Sequence, residues 1–159
     1  MNHVVGIADM KVSTNAEDTI TTHALGSCLA ITVYDVKARV GGMVHVMLPL
    51  STIQVDKAGK NPCTFVDTGV PLLFAECYKA GAKKQCMTVK VAGGASIMPD
   101  GNDCFQIGES NFSLLRKLLK KNGVLIKAHD VGGKHWRSVS LSLADGRVTV
   151  TTEERQVVL

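Results

Sequence analysis

Two residues in the first third of the chain, a cysteine and a histidine, have side chains that can together perform nucleophilic chemistry. Cys28 follows the small residues Gly26 and Ser27 and directly precedes an apolar run, and His45 lies in a second apolar run. A thiolate is a strong nucleophile, and a neighbouring imidazole can take the thiol proton and later give it to a leaving amine. These residue types therefore predict acyl-transfer chemistry if the fold brings them together.

A predicted β-hairpin places these two side chains on one face of a sheet. If the chain turns in the middle of residues 36–39, the ladder pairs Ala30 with His45 and Cys28 with Met47. Side chains alternate along a strand and paired residues share a face, so His45 is diagonal to Cys28 at about 7–8 Å between backbones. A register slip of one residue would put the two side chains on opposite faces.

The remaining parts of such a site are also in the sequence. Backbone N–H groups around Ser27 and Cys28, beside Gly26, can hold the oxyanion that forms when a carbonyl is attacked. The histidine needs an acceptor for its second N–H, and Thr22, on the preceding predicted strand, is a candidate.

Structural interpretations of the same residues stay open at this point. A cysteine in an apolar strand is usually part of the core, and His45, between Val44 and Val46, is compatible with a core histidine. Four other histidines compete for the role of base. His135 has a loosely papain-like separation from Cys28, but the papain signature around the cysteine is absent.

Hydrophobic patterning and turn residues predict the elements that must position the site. The expected strands are residues 4–12, 19–25, 28–34, 40–48, 87–92, 124–128, 138–143 and 147–152. The expected helices are residues 67–80, capped by Asp67 or Thr68, and residues 109–121, and residues 49–62 are expected to form a surface loop. Many strands, largely in hairpins, with two helices predict a single α+β domain over residues 1–159, a sandwich of mainly antiparallel or mixed sheets with the helices packed on one side.

Composition narrows the function classes. The net charge of +4 is mild, and the basic cluster at 116–121 lacks interleaved aromatic residues, so nucleic-acid binding is not expected. The five cysteines form no C-x-x-C pair, which argues against a zinc site and a disulfide framework. Four of them, Cys63, Cys77, Cys86 and Cys104, are expected to have no catalytic role. No run is long and apolar enough to span a bilayer and no secretory signal is recognisable, so a cytoplasmic protein is expected.

Five segments in chain order carry a family pattern. They are residues 22–28 (THALGSC), 41–49 (GGMVHVMLP), 92–96 (AGGAS), 107–111 (IGESN) and 130–137 (DVGGKHWR). The chain thereby resembles the CheD family of chemoreceptor glutamine deamidases over nearly its whole length. The first two segments correspond to that family's nucleophile and histidine segments.

The resemblance implies a fold, a site and a reaction. It implies an αββ-like sandwich distantly similar to bacterial toxin deamidases, and a triad of Cys28, His45 and Thr22. The implied reaction converts glutamine side chains in the cytoplasmic domains of chemotaxis receptors to glutamate and ammonia through a thioester, without a metal or organic cofactor. Some members also hydrolyse glutamyl methyl esters. The implied regulatory partner is a CheC-type phosphatase of phosphorylated CheY.

The chain departs from the family pattern at a few positions outside the implied triad. Ser110 stands where the family usually has arginine, and Val131 takes a position often held by threonine or leucine. His23, beside Ala24, replaces more usual apolar residues or glycine, and the pair 135–136 is unusual ahead of Arg137. These differences bear on receptor choice or on the partner surface.

Two alternatives remain beside the deamidase. One is a non-catalytic adaptor that keeps the fold and stimulates the phosphatase. The other is a different thiol enzyme, such as a peptidase or a transglutaminase. The presence of Thr22, Cys28 and His45 together favours an enzyme, because an adaptor has no chemical need for all three.

Overall fold

Two five-stranded β-sheets lie face to face, and the helices cover the outer face of one of them, in a computed structural model that describes residues 1–97 and 106–159. The first sheet has the strand order β1-β3-β8-β9-β10 and the second has the order β2-β5-β4-β6-β7. The strands are β1 Asn2–Val4, β2 Asp9–Ser13, β3 Thr19–Leu25, β4 Leu29–Asp35, β5 Val40–Val46, β6 Met87–Gly93, β7 Ile126–Val131, β8 Arg137–Ser142, β9 Val148–Thr151 and β10 Gln156–Val158.

Three α-helices are present in the described part of the chain. They are α1 Val55–Lys60, α2 Val66–Lys79 and α3 Ile107–Lys121, with short 3₁₀ turns at Ser51–Ile53, Pro62–Thr64 and Lys84–Cys86. The two longer helices, α2 and α3, pack on the second sheet. Both sheets mix parallel and antiparallel pairs, because β1 is parallel to β3 and β6 is parallel to β7. The predicted α+β sandwich of mixed sheets, with the main helices on one side, is confirmed.

The central strand β4 separates two hydrophobic cores. Its alternate residues Leu29, Ile31 and Val33 face α2 and α3, whereas Ala30 and Tyr34 face the first sheet. All seven residues of β4 are buried. Burial of a large aliphatic side chain stabilises a fold by about 1.5–3 kcal/mol, so β4 and its neighbour β5 form a rigid support for whatever their ends carry.

The β4–β5 hairpin has the predicted register. Ala30 pairs with His45, and the ladder runs from Leu29↔Val46 to Asp35↔Val40. The carboxylate of Asp35 closes the turn by accepting hydrogen bonds from the backbone N–H groups of Lys37 and Ala38. The predicted pairing of Ala30 with His45 is therefore confirmed. The predicted pairing of Cys28 with Met47 is wrong, because the ladder ends at Leu29↔Val46.

The prediction of a single first strand over residues 4–12 is wrong. The chain leaves the first sheet after Val4, passes through Ala8 with a positive φ of 57°, and enters the second sheet as β2 at Asp9. Buried Val5 still donates its N–H to the carbonyl of Thr21. Loose apolar alternation continues through the crossing, so the pattern does not reveal that two strands in different sheets share it.

Residues 49–62 also differ from expectation. This segment contains a 3₁₀ turn and the short helix α1 where a surface loop was predicted. The predicted caps of the following helix are wrong as well, because α2 begins at Val66 and the side chain of Asp67 accepts hydrogen bonds from Ser51. Thr68 donates its hydroxyl to the carbonyl of Pro62. A further strand, β10, was not predicted.

Candidate active site

Cys28 lies in a tight connection between β3 and β4, one residue before the buried strand begins. The carbonyl of Gly26 accepts a hydrogen bond from the N–H of Ala95 at 2.9 Å, and the carbonyl of Cys28 accepts one from the N–H of Gly94 at 2.9 Å. The carbonyl between them, on Ser27, accepts from the side-chain amide of Asn111 at 3.0 Å. All three carbonyls are thus held, and Cys28 itself is half-buried.

A glycine behind this connection permits its close packing. Gly93, the last residue of β6, has φ 114°, and a β-carbon there would overlap the carbonyl oxygen of Cys28. A residue with a side chain would therefore meet both a strained backbone and a steric clash. The backbone of β6 can approach Cys28 this closely only because residue 93 is glycine.

A β-bulge precedes the nucleophile segment. The pairing of β3 with β8 shifts register between Thr22 and Leu25, and Ala24 has a positive φ of 57°. Bulges re-aim side chains and end regular pairing, and they are frequent beside active sites. Here the bulge leaves Thr22 buried within the sheet and directs the chain toward Cys28.

His45 lies on β5 and is completely buried. Its Nδ1 atom is 2.8 Å from the hydroxyl of Thr22, and that hydroxyl is 2.7 Å from the carbonyl oxygen of Val5. A hydroxyl has one proton, and the carbonyl of Val5 can only accept it. Thr22 therefore accepts the Nδ1–H of His45, which leaves the lone pair on Nε2. This tautomer follows from the hydrogen-bond network.

The second ring nitrogen of His45 is unoccupied. Within residues 1–97 and 106–159, Nε2 has no hydrogen-bond partner although it is buried. Buried polar atoms are nearly always hydrogen-bonded, so such an atom calls for an explanation. A role as proton acceptor explains why Nε2 keeps a free lone pair.

Burial shifts the pKa values of both groups toward their neutral forms. Desolvation lowers the pKa of His45 to about 4, well below the ordinary value of 6.5. Desolvation also raises the pKa of the Cys28 thiol, and the nearby backbone N–H of Cys28 offsets part of that effect. Near neutral pH the pair therefore rests as a thiol and a neutral imidazole.

The sheet brings the predicted residues to one side. Cys28 packs against the core between the two sheets, together with Ala30, and His45 pairs with Ala30 in the ladder. The neighbours of His45, Val44 and Val46, point the other way, toward the helices. The backbone N–H groups of Ser27 and Cys28 donate to no carbonyl oxygen among the described residues, so they are available to a ligand.

The other histidines lie in different surroundings. Each is partly or fully exposed and has a neighbour of its own: His3 bonds to Asp18, His23 to Ser138, His129 packs on Phe112, and His135 lies 3.9 Å from Glu154. None of them shares the full burial of His45.

Comparisons with known proteins place the chain in a family. A family model described as CheD chemotactic sensory transduction matches residues 47–152. A Syntrophus aciditrophicus protein named "Probable chemoreceptor glutamine deamidase CheD 1" is 50% identical over 147 residues, which cover 92% of this chain and 91% of the relative. The chain belongs to the CheD family.

Two further CheD relatives carry similar names. The "Probable chemoreceptor glutamine deamidase CheD" of Solibacter usitatus is 41% identical over 96% of this chain and 90% of its own length. The "Probable chemoreceptor glutamine deamidase CheD 2" of Anaeromyxobacter dehalogenans is 42% identical over 95% of this chain and 94% of its own length. A crystal structure of a Neisseria meningitidis protein of the DUF152 family model matches with a TM-score of 0.42 and 12% identity, over 82% of this chain and 62% of that protein.

The departures from the CheD pattern lie apart from the Thr22–His45 hydrogen bond. Ser110 is half-buried in the first turn of α3, and Val131 ends β7 opposite Gly93. His23 is exposed and bonds to Ser138. Cys104 lies outside the described residues.

The structure adds residues that the sequence argument did not assign to the site. Asn111, on α3, donates to the carbonyls of Ser27 and Met47. Trp136 is half-exposed, and its ring edge is 2.9 Å from where a β-carbon on Gly26 would stand. In the sequence, the feature that could have pointed to Asn111 is an amide within the apolar face of a predicted helix. The feature that could have pointed to Trp136 is an aromatic residue at an unusual position.

A partly buried ion pair supports the loop behind Cys28. Arg137 donates to the carboxylate of Asp130 at 3.3 Å and to the carbonyl of Gly93 at 3.2 Å. Asp130 also accepts from Arg155 at 2.9 Å. These contacts fix the end of β6, on which the Cys28 carbonyl packs.

The described residues contain no group of three or more His, Cys, Asp or Glu side chains arranged to hold a metal ion. Within the same part of the chain, no helix is both long and apolar enough to cross a membrane.

Proposed function

We propose that residues 1–159 form a single deamidase domain that converts glutamine side chains of chemotaxis receptors to glutamate with release of ammonia. The observation that carries the proposal is a buried imidazole whose Nδ1–H is held by Thr22 and whose Nε2 is unpartnered, on the same sheet face as Cys28. Membership of the CheD family, with relatives named chemoreceptor glutamine deamidases, supplies the substrate.

The first half of the reaction forms an acyl-enzyme. The sulfur of Cys28 attacks the amide carbon of the substrate while Nε2 of His45 takes the thiol proton. The N–H groups of Ser27 and Cys28, beside Gly26, stabilise the developing oxyanion. The imidazolium then gives its proton to the amide nitrogen, the carbon–nitrogen bond breaks, and ammonia leaves a thioester on Cys28.

The second half restores the enzyme. His45 takes a proton from water as the oxygen attacks the thioester carbon. The carbon–sulfur bond breaks, the thiolate takes the proton back from the imidazolium, and glutamate leaves. The same route hydrolyses a glutamyl methyl ester, with methanol leaving in place of ammonia.

Both groups are neutral at the start of this scheme, so the thiol proton must move to His45 during the attack. A desolvated imidazole with a pKa of about 4 stays unprotonated near neutral pH and can accept a proton. The charged imidazolium then exists only during the reaction, when the oxyanion carries the opposite charge and the leaving group takes the proton. Thr22 fixes the ring orientation throughout.

We further propose a cytoplasmic location, where the receptor cytoplasmic domains lie, and a regulatory CheC-type phosphatase as partner. The support for both is the family resemblance. A pure adaptor role for this chain is the competing hypothesis, and the unpartnered buried Nε2 argues against it, because an adaptor gains nothing from an unsatisfied polar atom.

The direct test incubates the protein with receptor cytoplasmic fragments and follows the glutamine-to-glutamate mass change and ammonia release. We expect Cys28→Ala to reduce the rate by at least about 10⁴-fold. Cys86→Ala is the matched control, because Cys86 is also free and half-buried but lies in the 3₁₀ turn just before β6. Its rate should equal that of the wild type.

Full activity in Cys28→Ala would refute the thioester route. A wild-type protein that stimulates a CheC-type phosphatase but never modifies receptor fragments would establish the adaptor instead.

A further inference from the structure

The N-terminal half of α3 is bonded to both segments that carry the proposed nucleophile and base. The side-chain amide of Asn111 donates to the carbonyl of Ser27 at 3.0 Å and to the carbonyl of Met47 at 2.9 Å. Ser27 directly precedes Cys28, and Met47 follows His45 by two positions. One side chain therefore spans the two halves of the site.

These hydrogen bonds occur where the β-ladder stops. Leu29↔Val46 is the last pair between β4 and β5 on the side of the site. Beyond it the two chains are no longer paired, and the Asn111 amide donates to one backbone carbonyl on each, those of Ser27 and Met47. The planar amide thus links the two chains just past the end of the ladder.

The orientation of this amide is unambiguous. Both contacts of Nδ2 are to carbonyl oxygens, so exchanging the nitrogen and oxygen would place Oδ1 against two acceptors. Oδ1 is buried, and it has no hydrogen-bond partner among residues 1–97 and 106–159. The fold keeps a fully buried polar side chain with an unsatisfied atom in order to make the two Nδ2 contacts.

Asn111 is held by the helix around it. One turn earlier, Gly108 packs against the backbone of Gly94 and Ala95, and a β-carbon there would stand 2.6 Å from Gly94. One turn later, Leu115 is fully buried in the core under the second sheet. The amide therefore cannot shift independently of α3 or of the loop that binds the Cys28 carbonyl.

We propose that Asn111 is a positioning residue that fixes the placement of the Cys28 thiol relative to Nε2 of His45. This inference rests on the proposed function for its activity readout. It acts through the two backbone segments and needs no contact with the substrate.

The test compares Asn111→Ala and Asn111→Leu with Asn122→Ala. Both substitutions at 111 remove the two donors, and they differ in volume, so a shared effect reports the lost hydrogen bonds and not the packing. Asn122 is the control, because its amide also donates to a backbone carbonyl, that of Leu118, at the other end of the same helix. We expect kcat to fall by up to about 100-fold in both Asn111 variants, with KM nearly unchanged. Asn122→Ala should lower the thermal midpoint but leave kcat at the wild-type value.

A second readout needs no receptor. The pH dependence of Cys28 alkylation by iodoacetamide reports how strongly the thiol is coupled to His45, and it should differ between the wild type and His45→Ala. We expect the Asn111 variants to shift toward the His45→Ala profile, and the double variant to show no further shift. If the wild type lacks deamidase activity but these shifts occur, the proposed function fails while the positioning role stands.

Folded Asn111 variants with wild-type kcat and a wild-type alkylation profile would overturn the inference. If Ala and Leu at 111 prevent folding, Asn111→Ser, whose hydroxyl can serve one carbonyl, should fold with an intermediate kcat and an intermediate profile. Failure of all three variants to fold would assign Asn111 a purely structural role.

Discussion

Two histidines bond to oxygen atoms in or next to β3, and they illustrate two uses of a polar contact. Just before the strand, His3 donates to the carboxylate of Asp18 at 2.8 Å. In the middle of the strand, His45 donates to the hydroxyl of Thr22 at 2.8 Å. The distances are equal, but the surroundings of the two rings are not.

Asp18 has several hydrogen-bond partners. Its carboxylate also accepts from the hydroxyl of Ser13 at 2.6 Å, and the hydrogen bonds from Ser13 and His3 hold the pKa of Asp18 well below its usual range. His45 has one partner and an unoccupied nitrogen, and desolvation lowers its pKa. Polar groups whose hydrogen bonds are all made stabilise the fold. A buried nitrogen without a hydrogen-bond partner lowers stability, but its lone pair stays free to accept a proton.

The largest difference between the two histidines is expected when each imidazole is removed in turn. We expect His45→Gln to reduce receptor deamidation by about 10³–10⁴-fold, because general base and acid catalysis is lost. His3→Gln should change the rate by less than about twofold while lowering the thermal midpoint, because it removes only a stabilising contact of Asp18. Rates come from ammonia release, and equal losses in both variants would contradict the distinction.

The pH dependence of stability also distinguishes His45 from the His3–Asp18 pair. Because the pKa of His45 is about 4 in the folded protein and 6.5 as the ordinary value, the unfolded chain binds more protons between these values. Stability therefore rises with pH through this window and is lost as the pH falls below 6.5, by roughly 2–3 kcal/mol between pH 7 and 4.5. Urea unfolding at both pH values measures it.

His45→Gln is the control for this measurement, and its unfolding free energy should lack that part of the pH dependence. An identical pH dependence in the variant and the wild type would show that another group is responsible. The low pKa of Asp18 acts in a more acidic range, below its ordinary value of 3.8.

A smaller effect is expected from the acceptor of His45. Thr22→Val removes the hydroxyl that orients the ring, and we expect kcat to fall about 10-fold to 30-fold, in the range of the loss of one hydrogen bond to a group that becomes charged. Thr21→Val is the matched control, because the Thr21 hydroxyl bonds to exposed Asn2. Equal kcat values in the two variants would show that Thr22 has no orienting role.

The hairpin shows what local pattern can predict. Residues 36–39 and the alternation around them were sufficient to place His45 opposite Ala30, because pairing outward from a tight turn leaves little freedom. The switch between sheets at Ala8 was not predictable in this way, since alternation is the same whichever sheet a strand joins. Asp67 was misassigned as a cap because its tertiary partner, Ser51, is remote in sequence.

The candidate site likewise has parts that local sequence pattern could predict and parts that it could not. The types of Cys28, His45 and Thr22 were readable from the chain, and so was the place of His45 and Thr22 on strands, whereas Cys28 lies just before its predicted strand. The tautomer of His45 was not, because it depends on the carbonyl of Val5, and neither was the link from Asn111 to Ser27. Contacts of this kind arise only when remote segments are packed together.

The glycine at the end of β6 has a consequence for how CheD proteins can diverge. Gly93 leaves no space for any side chain against the Cys28 carbonyl, so position 93 is closed to substitution. Trp136, by contrast, reaches Gly26 with the tip of a half-exposed side chain, beside Ile97. A protein engineer who wants to change the specificity of the candidate site should therefore keep Gly93 and vary residues 97 and 136.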